Sequence, residues 1–210
     1  MGLIASKPQG EYTPLPEGVY YATCYLVADI GEQYSKKYDK WSSQVIIGWQ
    51  VDGETYERDG VAEPRTIHSF YKKSLHENST LRKDLEAWRG KRFTAEELAG
   101  FDLRNIVGTG CQIQVTHWTK QDGRVADQVS AVMALPRGVK LNAPEKTIIF
   151  DLDTDLATLK EMPNIVQGAV EKCRLFVGAK EEAIEEEKPF SPEMMMQSEM
   201  DEIDALLGGE

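Results

Sequence analysis

The amino-acid sequence predicts a mainly β domain with a helical insert. Three observations predict it. Five segments alternate apolar and polar residues as half-buried strands do, two helical signatures stand between the third and fourth segments, and the acidic charge is concentrated at the C-terminal end. A chain of 210 residues without that acidic end is about the size of one common domain. We therefore expect one folded domain around a single core.

The acidic charge lies almost entirely in the last thirty residues. Residues 181–210 hold eleven acids and one base, a net charge of −10, whereas the other 180 residues hold 24 acids and 23 bases. Like charges at that density repel one another and bury little apolar surface. The sequence therefore predicts a nearly neutral body and a flexible acidic tail over 178–210.

Two long strands are expected first, after a proline-containing, extended lead-in over 1–17. The first strand runs from Val19 to Ile30, with Tyr21 and Tyr25 on its outward face. The residues expected on its core face are Ala22, Cys24, Leu26, Ala28 and Ile30. The second strand runs from Trp41 to Val51 after a polar, basic linker, so the pair is expected to be antiparallel.

Three further strands and two helices complete the pattern. Arg65 to Tyr71 predicts the third strand. Asn78 or Ser79 can cap a helix that ends at Gly90, and Thr94 with Glu97 forms a capping box for a shorter helix that ends at Gly100. The remaining two strand candidates are Cys111 to Trp118 and Val125 to Leu135, joined by a tight turn at Asp122-Gly123.

Five strands with helix inserted between the third and fourth follow the order of the OB-fold, a small five-stranded Greek-key barrel. We expect this OB-fold-like barrel over 18–143, with its helical insert near 78–106. Residues 144–177 are expected to form a small appendage packed on the barrel, with a strand-like run at Thr147 to Phe150 and a helix after Pro163.

The sequence favours a cytoplasmic protein. No segment approaches the roughly twenty apolar residues that span a bilayer, and no secretion signal begins the chain. Cys24, Cys111 and Cys173 lie far apart, so free buried thiols are expected instead of disulfides or a metal cluster. Gly2 and Ser6 fit the spacing for N-myristoylation, but one acyl chain without a polybasic patch binds membranes only marginally.

No catalytic signature is complete, and no enzyme, cofactor or metal site is expected. Ile148 to Thr154 resembles the first motif of haloacid dehalogenase phosphatases, in which two carboxylates, here Asp151 and Asp153, act as nucleophile and acid/base. The Gly-Thr that follows in that family is replaced here by Thr154-Asp155, and too little chain remains for a Rossmann-type core. A phosphatase is therefore the least favoured interpretation. His68, His76 and His117 stand alone by type and spacing.

Cations and aromatic residues are interleaved in a way typical of single-strand binding, because cations neutralise phosphates and aromatic rings stack bases. They fall at the linker between strands one and two, on the outward face of strand one, at the end of strand three and around the hairpin of strands four and five. The candidate nucleic-acid-binding residues are Tyr21, Tyr25, Lys36, Lys37, Lys40, Lys72, Lys73, Trp118, Lys120 and Arg124. The other large aromatic residues are expected to pack the core or the helices: Trp41, Trp49, Phe70 and Trp88.

The tail also carries an apolar stripe at helical spacing, which indicates a docking peptide. Acids alternate with this stripe, so the peptide suits a basic groove, either on a partner protein or on the body itself when DNA is absent. The candidate partner-binding residues are Met200, Asp201, Glu202, Ile203, Asp204, Leu206 and Leu207.

The stretch from Phe70 to Gly108 carries a more specific resemblance. Leu81-Arg-Lys-Asp-Leu-Glu-Ala-Trp-Arg-Gly90, followed by Phe93-Thr-Ala-Glu-Glu-Leu-Ala-Gly-Phe101, resembles the single-stranded DNA-binding proteins of tailed bacteriophages and their prophages, and the resemblance extends over 18–138. It implies an OB-fold that coats and protects single-stranded DNA in phage replication or recombination, in the cytoplasm of a bacterial host. It also implies that the acidic tail recruits replication or recombination proteins.

The sequence leaves two questions open. An OB-type adaptor that binds protein and no nucleic acid fits the same strand pattern, because fold does not give function by itself. The oligomeric state is also open, with a homo-oligomer among the alternatives.

Overall fold

The computed structural model describes residues 13–58, 60–120 and 123–178. The chain divides into two compact units, Met1–Arg174 and Leu175–Glu210, and the account below concerns the first. Gly2, Ser6 and the partner-binding residues of the tail lie outside the described residues.

The first unit is built on a six-stranded sheet. Its strands are β1 (Gly18–Ser35), β2 (Lys40–Arg58), β3 (Val61–Lys72), β4 (Gly110–Thr119), β5 (Val125–Ala134) and β6 (Ile148–Phe150). The first five are antiparallel neighbours in the order β3-β2-β1-β4-β5. β6 pairs in parallel with β1, beyond the end of the β4 ladder. Within the described ranges no ladder joins β3 to β5, so the sheet is open between them.

β1 does not keep one face inward, contrary to the sequence-based expectation. The register with β2 shifts between Cys24 and Leu26, and this bulge inserts one residue, Tyr25. Since side chains alternate with period two, the extra residue exchanges the two faces. Ala22, Cys24 and Val27 therefore enter the main core, while Leu26, Ala28 and Ile30 are buried outside it.

Two helices cover the open side of the core, as the capping signals predict. α1 (Thr80–Arg89) begins after Ser79 and ends at Gly90, whose φ of 65° is readily accessible to glycine. Its buried residues are Leu81, Leu85 and Trp88. α2 (Ala95–Ala99) starts at the predicted capping box, in which the Thr94 side chain accepts from the Glu97 N–H and the Glu97 side chain accepts from the Thr94 N–H.

The appendage covers the second face of β1. Buried residues of β6 and of helix α3 (Asn164–Val170) lie beside β1, and Gln33 donates to the carbonyl of Ala169 at 3.0 Å. A Cβ on Gly31 would lie 2.7 Å from Leu152 and 3.4 Å from Cys173. The close approach and the φ of +69° both favour glycine at this position.

The lead-in contributes to the core before the first strand begins. Leu15 is buried in the main core, and its N–H donates to Asp127 Oδ1 at 2.9 Å. Its carbonyl is hydrogen-bonded to the His117 ring at 2.7 Å. Folded structure therefore starts before Gly18, where the domain was expected to begin.

No helix among the described residues is long and apolar enough to cross a membrane.

Candidate nucleic-acid interface

A groove of about 870 Å³ follows the seam between β3 and β5. Residues 66–71 of β3 form one wall, and residues 126–130 of β5 form the other. Trp118 and Lys120, at the end of β4, also line it, as do Thr80 and Asp84 of α1. The groove exists because β3 and β5 are adjacent in space without a backbone ladder between them.

Two exposed aromatic side chains belong to this groove. Phe70 of β3 is 52% exposed, and Trp118 of β4 is 48% exposed. Trp118 was predicted as a binding residue, whereas Phe70 was expected in the core, and that expectation was wrong. Tyr71, the next residue, occupies the core instead, and its hydroxyl donates to Asp84 Oδ2 of α1 at 2.8 Å. Alternation along β3 then turns Phe70 outward.

Of the other three aromatic residues expected inside, Trp49 and Trp88 are buried, with ring centroids 6.0 Å apart. Trp41 is only half-buried and packs against Tyr34 at the β1–β2 turn, 5.3 Å between ring centroids.

Tyr25 is not the exposed platform that the sequence suggested. It is buried, and its hydroxyl is hydrogen-bonded to Nε2 of His68 at 2.5 Å. The bulge turns Tyr25 and Leu26 to the same side, opposite Gly48 of β2. A ring packed in this way has no face free for a base.

The Tyr25–His68 pair is a largely buried polar contact beside the groove. Burial lowers the pKa of His68 to about 4 and raises the pKa of Tyr25 to about 12. Both groups are therefore neutral at pH 7, and His68, which lines the groove, presents an uncharged ring. A neutral ring beside aromatic walls suits the uncharged face of a base better than a phosphate.

The candidate lysines fall in two places, in the groove and at one end of the β2–β3 ladder. Lys120 lines the groove directly. Lys72 ends β3 opposite Gln44, and the backbone N–H of Lys73 donates to the carbonyl of Ser43 at 2.8 Å. Both lysines are exposed, but the Lys73 ammonium forms an ion pair with Asp29.

The β1–β2 turn is exposed and basic. Lys37 and Lys40 lie 5.2 and 5.9 Å from the centroid of the Tyr38 ring, and Lys36 is exposed beside them. Tyr38 is itself 63% exposed, and the Tyr34 hydroxyl donates to Asp39. Because β2 begins at this turn and pairs with the end of β3, the turn lies at the same end of the β2–β3 ladder as Lys72 and Lys73.

Of the ten predicted binding residues, Trp118 and Lys120 line the groove and the other eight do not, Tyr21 and Arg124 among them. Tyr21 is 42% exposed on β1, opposite Gln112 of β4. Arg124 is exposed at the β4–β5 hairpin, where its carbonyl accepts from the N–H of Lys120 at 2.9 Å.

The Asp151–Asp153 segment is a local turn. Asp151 Oδ1 accepts from the N–H of Asp153 at 3.2 Å, and Asp155 Oδ2 accepts from the N–H of Asp151 at 2.9 Å. Side-chain oxygens that bond to nearby backbone N–H groups are typical of turns. These contacts give the carboxylates of Asp151 and Asp155 a structural role. No group of three or more metal-binding side chains is found within the described ranges.

An ion pair joins β3 to β5 at the end of the groove near Thr66. Arg65 of β3 donates to Asp127 Oδ2 of β5 at 3.3 Å, with side chains 11% and 3% exposed. The sequence offers no signal for this pair or for the groove, since both depend on which strands come together.

Comparison with known proteins found no family model that matches the chain and no curated protein that matches it.

Proposed function

We propose that this protein binds single-stranded DNA without sequence preference and has no enzymatic activity. The observation that carries the proposal is the pair of exposed rings, Phe70 and Trp118, in one groove with Lys120. Exposed aromatic residues are costly to leave in water and are typical of surfaces that stack a ligand. A lysine beside them can neutralise a phosphate, while base stacking tolerates any sequence.

The strand order supports an OB-type fold. The order β3-β2-β1-β4-β5 is that of a five-stranded barrel opened between its third and fifth strands, and OB barrels are partly open Greek-key barrels that bind oligonucleotides. On this proposal, the groove at the opening receives bases. Further lysines extend the contact with the phosphate backbone: Lys72 at the end of β3, and Lys36, Lys37 and Lys40 at the β1–β2 turn.

The charge distribution favours attraction of DNA by local groups of lysines over attraction by the net charge of the protein. Outside residues 181–210, the chain has 24 acids and 23 bases, so attraction to DNA must come from clusters of lysines. The resemblance of residues 81–101 to phage single-strand binders supports a role in phage replication or recombination. There the acidic tail would recruit partner proteins and compete with DNA for the lysines.

Titration of the tryptophan fluorescence with oligo(dT) tests this proposal. Trp49 and Trp88 are buried, so quenching should come from Trp118 and from half-buried Trp41. Phe70→Ala and Trp118→Ala should each weaken binding by about 1 to 3 kcal/mol, the usual contribution of stacking. Leu156→Ala, which truncates an exposed apolar residue of the appendage, is the matched control and should bind as wild type does.

Two results would overturn the proposal. One is the absence of any oligo(dT) binding at low salt, measured with and without residues 181–210. The other is unchanged affinity in both Phe70→Ala and Trp118→Ala, since the groove would then play no part. Protein partners that survive nuclease treatment, together with no DNA binding, would point to the adaptor function instead.

A further inference from the structure

The groove between β3 and β5 contains an acid whose charge is not balanced. Its lining includes two carboxylates, Asp84 and Asp127, and one lysine, Lys120. Asp127 is paired with Arg65, whereas no cation pairs with Asp84 in the described part of the chain. An unpaired carboxylate repels phosphate, so a bound strand would not place its backbone beside Asp84. The acid suits a different part of the nucleotide.

The carboxylate of Asp84 is held in a fixed position. Leu81 and Leu85 are buried and attach α1 to the core, while Thr80 and Asp84, one helical turn apart, line the groove. The hydroxyl of buried Tyr71 donates to Asp84 Oδ2 at 2.8 Å. The carboxylate is thus oriented by a side chain that cannot itself move into the groove.

The second oxygen of this carboxylate remains available to a ligand. Asp84 Oδ1 receives no hydrogen bond from any described residue. Burial raises the pKa of Asp84 above its usual value, although the hydrogen bond from Tyr71 acts in the opposite direction. Partial removal of a carboxylate from water is costly when an oxygen lacks a donor. A ligand that supplies an N–H to Oδ1 would therefore be stabilised.

We propose that Asp84 selects among the bases that enter the groove, by accepting a hydrogen bond from an exocyclic amino group. Cytosine, adenine and guanine carry such a group, and carboxylates accept from it in known base recognition. Thymine and uracil instead present one N–H between two carbonyl oxygens, and a carboxylate that approaches this N–H is repelled by both oxygens. The inference rests on the proposed DNA binding and adds to it a preference among types of base.

Asp84 and Lys120 lie towards opposite ends of the groove. Asp84 contacts Tyr71, the last residue of the β3 wall. The Arg65–Asp127 pair joins the other end of that wall to the start of the β5 wall, close to the hairpin that carries Lys120. Residues 66–71 of an extended strand span about 17 Å. A bound strand can therefore place a phosphate at Lys120 and the edge of a base at Asp84.

The preference is graded and requires no particular sequence. Phe70 precedes Tyr71 on β3, so its exposed ring lies at the same end of the groove as Asp84. Stacking on an aromatic ring stabilises every base, because every base has a π-face. The hydrogen bond to Asp84 adds to this common contribution for amino-bearing bases only. All single strands should bind, and those rich in amino-bearing bases should bind more tightly.

Fluorescence titrations of the full chain with oligo(dC) and oligo(dU) of equal length, at neutral pH, test this role. Cytosine has an amino group where uracil has a carbonyl oxygen, and neither base carries a methyl group. Wild type should bind oligo(dC) about tenfold more tightly than oligo(dU), as one hydrogen bond to a charged group would give. Asp84→Asn keeps an oxygen that accepts from Tyr71 but loses the charge, so it should remove most of this preference.

Two further variants separate selection from general effects. Asp153→Asn makes the same chemical change at an exposed position of the appendage and should keep the wild-type ratio of affinities. Tyr71→Phe removes the hydrogen bond that positions the carboxylate and should reduce the ratio. Intrinsic differences in stacking between cytosine and uracil cancel when the ratios of variant and wild type are compared. Urea unfolding checks that each variant is folded.

The outcomes distinguish this inference from the proposed function. Equal affinity of wild type for the two oligonucleotides would overturn the selection by Asp84 and leave single-strand binding intact. A preference for oligo(dC) that persists unchanged in Asp84→Asn would also overturn it, because another group would then recognise the base. A wild-type chain that binds neither oligonucleotide at low salt would overturn the proposed function, and the inference with it.

Discussion

Arg65 and Asp127 form a buried ion pair between two strands that no backbone ladder joins. The guanidinium of Arg65 on β3 lies 3.3 Å from the Asp127 carboxylate on β5, and the N–H of Leu15 donates to the same carboxylate at 2.9 Å. Arg65 also donates to the carbonyl of Thr13. The seam is thus closed at this end by side chains and by the lead-in, while the groove stays open beside it.

Asp127→Ala should destabilise the fold by about 3 kcal/mol, because it leaves the Arg65 charge buried and the Leu15 N–H without its acceptor. Urea unfolding, followed by far-UV circular dichroism, measures the loss. A double variant, Arg65→Met with Asp127→Leu, should recover part of it, since no unpaired charge remains.

Arg174→Ala is the control for this pair. Arg174 lies 3.2 Å from Glu32 in an ion pair whose side chains are 63% and 43% exposed, so its loss should cost less than about 1 kcal/mol. If Asp127→Ala were as mild as Arg174→Ala, the pair would not be holding the seam.

Local signals in the sequence predicted the order of strands and helices well. Thr94 and Glu97 fix the start of α2, and Gly90 ends α1, because capping depends on a few adjacent residues. Each predicted strand is present, and the first three extend into segments that were expected to be linkers. A polar segment can continue a strand when a neighbouring strand supplies the partners for its backbone hydrogen bonds. Polar composition alone therefore does not mark the end of a strand.

Features that depend on the tertiary structure were not predicted from the sequence. Strict alternation along β1 assumes a regular ladder, and the bulge at Tyr25 breaks it, so the exposure of Tyr25 and the core face from Leu26 onward were wrong. Phe70 could have been assigned to the surface only by knowing that Tyr71 packs inward against α1. The groove follows from the position of β3 beside β5, which no local pattern encodes.

His68 should make the protein less stable as the pH falls from about 6.5 to about 4. Burial holds the pKa of folded His68 at about 4, so the unfolded chain, with a histidine pKa near 6.5, takes up a proton first. With respect to this group, the free energy of unfolding is highest above pH 6.5. It decreases between pH 6.5 and 4 and levels off below pH 4. The contribution of this group is on the order of 3 kcal/mol.

Urea unfolding at a series of pH values checks the assignment to His68. His68→Gln, which keeps a hydrogen-bonding group for Tyr25, should flatten the dependence between pH 6.5 and 4 relative to wild type. Above pH 7 the two proteins should show parallel curves. An unchanged slope in His68→Gln would mean that other groups produce the acid sensitivity.

Gly48→Ala should destabilise the protein through steric overlap. A Cβ at this position would lie 2.7 Å from His68 Cδ2, 2.9 Å from the Tyr25 ring and 3.0 Å from Leu26 Cβ. These neighbours come from both adjacent strands, and the shift needed typically costs about 1 to 3 kcal/mol. We expect the midpoint of urea unfolding to fall accordingly.

Gly100→Ala provides the comparison for that variant. Its added Cβ meets nothing within 4 Å, and the backbone there is extended, with φ of −179°. The change should be neutral or stabilise by up to about 1 kcal/mol, since alanine restricts the unfolded chain. A loss in Gly100→Ala equal to that in Gly48→Ala would contradict the steric account.

Lys72 and Lys73 should differ in their contribution to DNA binding although they are adjacent. The Lys73 ammonium is already paired with Asp29, whereas Lys72 is exposed and pairs with no acid in the described part of the chain. Lys72→Gln should therefore weaken oligo(dT) binding more than Lys73→Gln does. Each lysine–phosphate contact releases a counterion from the DNA. Lys72→Gln should therefore also reduce the magnitude of the slope of log K against log salt concentration by about 0.7. Lys120→Gln, in the groove, should act as Lys72→Gln does.

Fluorescence titrations at several salt concentrations measure both quantities. Lys160→Gln removes an exposed lysine of the appendage and should leave the slope unchanged. If Lys73→Gln reduced the slope as much as Lys72→Gln, the Asp29 ion pair would have to open when DNA binds. If neither Lys72→Gln nor Lys120→Gln reduced it, the strand would follow a path that avoids both the groove and the end of β3.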